Sequence, residues 1–341
     1  MKFYLYLPFF FLFWLAACSS DNEDGSNELY RQMQPLITVK DTPAGNISKA
    51  GSGGGGSTYF SVGEHVGFLL VDHTTNGLYS DTKNIGVLRY TFDGKNWTTE
   101  DSYVLTGGFA RVYSFYPYNA SDDHSYDGVW PNSYRSIETS SNTDYLWGIS
   151  KYTAGNPGIN AKTPQVHVQM SHVLCRVSFQ LKRAIAYDPS ANIGKGSVTA
   201  FSAKGVDAGG NSMHGTSKYC FITGEVQRPV TADKNPVHFS TLAGHSIPTD
   251  LNSTLGGSSE FMSMVPGKVS MKVNMNIDGQ SYQVTVPQMD YVAGNHYLIT
   301  LVYKGSQVEL APGTGTQGGS MEIIPWASGG NIGVKSLSNK N

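Results

Sequence analysis

The sequence predicts an all-β protein built as two tandem β-sandwiches, and three observations predict it. Short apolar or alternating runs recur along the chain, separated by turn residues roughly every 8–15 positions, the spacing of sandwich strands. The composition is rich in Gly (39) and Tyr (20), and only 15% of residues are charged. Long Glu/Lys/Leu/Ala-rich amphipathic stretches are absent, as in β-rich extracytoplasmic proteins. The chain is 341 residues long, enough for two ordinary domains. A boundary near Met170 gives an N-terminal sandwich over 35–170 and a C-terminal one over 171–341.

The chain opens with Met1-Lys2, an apolar run from Phe3 to Trp14, then Leu15-Ala16-Ala17-Cys18. A basic start, a short apolar run and small residues before a cut form a secretory signal, here residues 1–17. The run is shorter than the ~20 residues that span a bilayer. Cys18 directly after Leu-Ala-Ala makes it a lipoprotein signal: the thiol is acylated, with palmitate among the chains expected, before Ala17–Cys18 is cut. Residues 18–34 then read as a lipidated polar tether. Its Ser19-Ser20-Asp21-Asn22-Glu23-Asp24 resembles the surface-export signal of Bacteroidetes lipoproteins. The expected location is the cell surface, with a precursor anchored in the outer membrane.

Pro35-Leu36-Ile37-Thr38-Val39 is the first β-prone run, and Gly51 to Ser57 is a flexible glycine-rich loop. That loop lacks the Gly-Lys-Ser/Thr ending of a phosphate cradle. Val66 to Val71 reads as a buried strand. Leu88 to Phe92 runs into the turn Asp93-Gly94, a hairpin signal. Ala110 to Tyr118 ends a strand at Pro117. Tyr145 to Gly148 and Gln165 to Met170 follow. Val173, Cys175, Val177, Phe179 and Leu181 alternate on one face of a strand. Short runs at 197–201, 237–239 and 260–266 continue the pattern. Asp278-Gly279 joins Val269–Ile277 to Tyr282–Val286 in the clearest hairpin, and Asn295 to Tyr303 is a late core strand. Met321 to Trp326 and Ile332 to Val334 close the chain.

The net charge of −2 provides no basic field for nucleic acid or anionic membrane. Cys175 and Cys220 remain after lipidation, and the sequence leaves open whether they pair or are two buried thiols. The nine histidines are scattered, and the sequence has no CxxC pair and no HExxH. His172 and Cys175, three apart on a strand, point to opposite faces. No Gly-x-Ser-x-Gly sits at a strand-to-helix elbow. Neither catalytic residues, a metal site nor a cofactor is expected. Aromatics crowd 113–147; strand alternation puts about half of them in the core, and those in loops, Tyr126, Trp130 and Tyr134, are the candidates for contact with a host, bacterial or glycan ligand.

Five spaced pieces resemble the fimbrillin family, the pilus subunits of Bacteroidetes. They are Phe60 to Phe68 with Gly63-Glu64 inside, Val112 to Tyr118 with Tyr116-Pro117-Tyr118, Asp144-Tyr145-Leu146-Trp147-Gly148, Met170 to Val177 with His172 and Arg176, and Pro325-Trp326-Ala327-Ser328-Gly329. Glu64 stands where the family usually has Asp, and Cys175 where a small apolar residue is common. The resemblance implies transthyretin-like Greek-key sandwiches and a lipidated precursor that is cut after a basic residue. The first strand, with Leu36, Ile37 and Val39, then leaves, and a strand of another fimbrial subunit fills its place. Lys49-Ala50 lies where the family is cut, with Arg31 and Lys40 as alternatives; a cut at Arg31 would leave the first strand in place. If Ile332 to Leu337 completes its own sandwich, the chain only accepts a strand, as a tip subunit does. The rival reading is a monomeric surface glycan-binding lipoprotein.

Overall fold

The computed structural model describes residues 31–40, 47–49 (as backbone), 60–79, 82, 86–118, 134–139, 143–153, 155–190, 194–312 and 321–324. Among them there is no helix; twenty-two strands form four sheets. The all-β expectation holds, and the sheets stack as β-sandwiches.

The largest sheet has the strand order Ile47–Lys49, Gln34–Lys40, Gln165–His172, Leu146–Ser150, Ala110–Tyr116, His65–Asp72, Leu88–Phe92 and Trp97–Thr98. Its strands are antiparallel except that the first, Gln34–Lys40, runs parallel to Gln165–His172. Both faces of this sheet are covered. One face carries Val66, Phe68, Leu70, Tyr90, Val112, Leu146, Val168 and Met170 into one core. The other carries Leu69, Val71, Tyr113 and Phe115 into a second core. Burial on both faces explains why Val66 to Val71 is apolar at nearly every position rather than alternating. Gly67 is the exception. It pairs with Phe115, whose ring lies where a Cβ on residue 67 would stand, 2.2 Å from its nearest atom. A glycine there leaves the ring its place.

The second core is roofed by a three-stranded sheet, Thr231–Ala232, Gly215–Cys220 and Tyr134–Glu138. Its members Ile137 and Tyr219, with Phe221 just beyond, pack under it. Gly215–Cys220 pairs antiparallel with Tyr134–Glu138, from Thr216↔Glu138 to Cys220↔Tyr134. A strand from beyond the expected boundary at Met170 thus hydrogen-bonds to one from before it.

The third core lies between two further sheets. One is centred on Cys175–Arg183 and His296–Tyr303, which run parallel. The other is centred on Ser197–Val206, Gly267–Ile277 and Gln280–Tyr291. Cys175, Val177, Phe179 and Leu181 face this core as their alternation predicts. Val173 does not: the strand begins at Cys175, and the preceding bend turns Val173 into the second core with Leu174. The Asp278-Gly279 turn closes the Gly267–Ile277 and Gln280–Tyr291 hairpin with both residues at positive φ, 53° and 77°. That is the type I′ pattern Asp-Gly favours. Cys175 and Cys220 are both free and buried. Burial pushes the Cys175 thiol far up, and its Sγ donates to Met264 O at 3.3 Å.

Candidate functional site: a strand groove and a buried charged junction

The first strand sits in a groove rather than at an open edge. Its whole length pairs with Gln165–His172, from Gln34↔Gln165 to Lys40↔Ser171. Its last three residues also pair with Ile47–Lys49, Thr38 opposite Lys49. Ile37 and Val39 are fully buried in the first core. Leu36, on the other face, is 38% exposed, so of the three apolar residues of this strand only two fill the groove. Thr38 is buried, with Oγ1 3.0 Å from His167 Nε2.

The three basic candidates for processing occupy different positions. Lys40 is exposed at the end of the strand. The backbone of Lys49 lies in the short strand against Thr38, and Ala50 lies outside the described residues. Arg31 is exposed, but its carbonyl accepts the Leu105 N–H at 2.9 Å. A cut after Lys49 frees both strands as one hairpin, whereas a cut after Lys40 leaves Ile47–Lys49 on the other fragment.

Just before the strand, Met33 is held by its main chain. Its N–H donates to Tyr103 Oη at 2.8 Å, and its C=O accepts from Tyr90 Oη at 2.8 Å. The two hydroxyls are 2.5 Å apart. Since Tyr90 gives its proton to Met33, Tyr103 must donate to Tyr90, and the three bonds close a ring in which each hydroxyl donates once and accepts once. Burial, offset by the Tyr90 hydroxyl and Met33 N–H, leaves the Tyr103 phenol pushed up to about 12; burial raises Tyr90 further. Both therefore keep their protons at any ordinary pH.

A second polar cluster stands where the Met170–Val177 segment passes from the first sheet to the sandwich that follows. Asp144 Oδ1 lies 2.8 Å from His172 Nδ1, and Asp144 Oδ2 3.5 Å from Arg176 Nη2. All three side chains are buried. The Arg176 guanidinium stacks over the Phe261 ring at 4.1 Å, a cation–π contact. Beyond Phe261 stands His296, with Nε2 2.7 Å from Ser178 Oγ. Ser178 gives its own proton to Glu260 O, so His296 is the donor and its Nδ1 is bare. Burial first, and the charge of Arg176 second, hold the His296 pKa down to about 4.

That depression has a pH consequence. His296 is neutral in the folded protein where a free histidine, at about 6.5, takes up a proton. Stability is therefore complete above pH 6.5 and falls as the pH drops from 6.5 towards 4, by up to ~3 kcal/mol. Urea midpoints at pH 7 and 4.5 measure this; His296→Gln is expected to flatten the slope, and an unchanged slope would contradict it.

Of the remaining predicted positions, Tyr134 is not in a loop as expected: it begins the Tyr134–Glu138 strand, paired with Cys220, and is 36% exposed. Tyr126, Trp130, Cys18 and the 332–337 segment lie outside the described residues. Among the described residues no group of three or more His, Cys, Asp or Glu side chains is placed to hold a metal. Sequence reasoning missed the Tyr90–Tyr103 pair, which meets Met33 only through the fold. It had His172 and Arg176 in one motif and Asp144 in another but did not join them; charged residues inside otherwise apolar strand motifs were the available signal.

The fold is that of a β-sandwich protein whose first strand lies between the short strand that follows it and Gln165–His172, a strand distant in sequence. The fimbrillin-like family model matches residues 56–326, and the chain belongs to the fimbrillin-like family. None of the curated proteins matches it. Among solved structures, a candidate cell adhesion protein from Bacteroides ovatus is 13% identical with a TM-score of 0.51, covering 87% of this chain and 98% of its own. Another from Bacteroides uniformis is 13% identical (TM-score 0.46; 86% and 99% covered). The tip fimbrial protein Mfa3 from Porphyromonas gingivalis, with C-terminal truncation, is 8% identical (TM-score 0.41; 86% and 99% covered). At these identities the likeness is one of fold.

Proposed function

We propose that this chain is a fimbrial subunit, exported as a surface lipoprotein through Cys18 and assembled by strand exchange after its first strand is cut away. The observation that carries this reading is the first strand's position. It is followed in the chain by the short strand that holds Lys49, fills an apolar groove with Ile37 and Val39, and pairs in parallel with Gln165–His172. Its loss leaves unpaired backbone groups and two apolar sites, which an incoming strand satisfies by β-augmentation. A cut at Lys49-Ala50 suits this best, because it removes the capping strand Ile47–Lys49 together with the first. The 35–170 and 171–341 regions are proposed as its two sandwiches, stitched across that boundary by the Gly215–Cys220 strand.

A matching donor occurs in the sequence. Ile37-Thr38-Val39-Lys40 and Ile332-Gly333-Val334-Lys335 share the order Ile, x, Val, Lys. A subunit whose 332–335 segment enters a neighbour propagates a shaft; one that keeps it only accepts, as a tip does. Adhesion through Tyr126, Trp130 and Tyr134 belongs to the same reading.

The test is the mature N-terminus of the protein taken from native cell surfaces, by intact mass and N-terminal peptide. A start at Ala50 without lipid is expected. Lipidated Cys18 as the only form would overturn the removable strand and favour an anchor-type subunit or a glycan-binding lipoprotein.

A further inference from the structure

We propose that Tyr90 and Tyr103 form a backbone-reading clamp that sets the register of whatever strand fills the groove, and that the strand so admitted is Ser328–Lys335 of a second copy of this chain. The proposal rests on the strand-exchange reading above and adds to it the device that fixes alignment.

The clamp touches only the N–H and C=O of one residue. It is blind to that residue's side chain, yet it fixes its position along the groove. Parallel pairing by itself leaves alignment to side chains, and a slip of one residue turns every apolar side chain to the wrong face. The clamped residue's own site is apolar, with Met33 buried in the first core, and from it the groove asks for apolar side chains four and six positions on, where Ile37 and Val39 are fully buried. It tolerates a polar residue three positions on, where Leu36 is exposed. Ser328 at the clamp puts Ile332 and Val334 at those two apolar positions, Asn331 at the exposed one, and Lys335 where Lys40 stands. Ser328 underfills the buried site of the Met33 side chain, but it offers the clamp the same N–H and C=O. Slipping by two residues would place Gly330 and Ile332 in the apolar sites and lose one of the two anchors.

Two measurements test this. In the intact full chain, amide hydrogen exchange is followed at Met33 and Ile37 in wild type and Tyr103→Phe. Loss of the acceptor is expected to speed exchange at Met33 about tenfold while Ile37 stays protected. Equal Met33 exchange in the two proteins overturns the clamp.

In the full chain nicked after Lys49, labelled synthetic peptides of residues 326–335 compete for the groove. One is native and one has the Ser328 N–H replaced by an ester oxygen. The native peptide is expected to be retained about tenfold longer by wild type, and the two equally by Tyr103→Phe. Equal retention in wild type overturns the clamp's role in register while leaving strand exchange standing. Entry of neither peptide overturns strand exchange with this donor, and the Met33 exchange rate then judges the clamp alone.

Discussion

Replacing Asp144 by Ala is expected to cost about 3–5 kcal/mol of stability, the range for taking one partner from a buried ion pair. The carboxylate faces His172 at 2.8 Å and Arg176 at 3.5 Å, with side chains almost wholly removed from water. Its removal leaves the Arg176 charge in a pocket bounded by the Phe261 ring without its carboxylate. The phenyl face offers a cation only ~1–2 kcal/mol in return. Urea unfolding should show a lower midpoint with an unchanged slope. Removing both charges in Asp144→Ala with Arg176→Met should recover part of the loss, because the stranded charge and not the missing attraction carries most of the cost. A loss below about 1 kcal/mol in the single variant would mean that the junction is not electrostatically closed.

Ile37→Asp is the second large effect, and it should act locally. The side chain is fully buried among Val39, Val166, Val168 and Met170. The change forfeits about 2 kcal/mol of apolar burial and adds the cost of placing a carboxylate in that core. The strand has a cheaper escape than unfolding the sandwich: it can leave the groove and hydrate the carboxylate. We expect faster cleavage at Lys40 and Lys49 and loss of amide protection along Gln165–His172, while the strands Ala110–Tyr116 and His65–Asp72 keep theirs. Leu36→Asp, one position away on the exposed face, should change stability by no more than about 0.5 kcal/mol. Equal effects of the two substitutions would sink the assignment of faces within this strand.

Much of the architecture was legible because local pattern and burial coincide. Cys175 to Leu181 alternates and packs one-sidedly, and Asp278-Gly279 makes the turn its residue types prescribe. Val66 to Val71 could be read as buried, though not that its two faces enter different cores. What stayed hidden depends on contacts between distant segments. Met33 meets Tyr90 and Tyr103 some 57 and 70 residues away in the chain. Asp144 meets His172 across 28 positions. Periodicity carries no information about such pairs. The first strand was seen as a strand, but its parallel partner and its second neighbour, Ile47–Lys49, follow from topology alone. Leu36 counted as a groove residue by hydrophobicity, and only the register shows it facing outward.

The strand Gly215–Cys220, hydrogen-bonded to Tyr134–Glu138, sets an order on folding. Residues up to Met170 cannot finish the fold alone, because the Gly215–Cys220 part of the roof over Leu69, Val71, Tyr113 and Phe115 lies beyond them. About 50 further residues must follow Met170 before that roof can close. During that interval an apolar sheet face waits uncovered, the kind of surface on which nascent chains misassociate. Release of the two halves as separate polypeptides would make the wait permanent. An unbroken chain that brings its own roof is therefore a condition for the first sheet to become a finished fold.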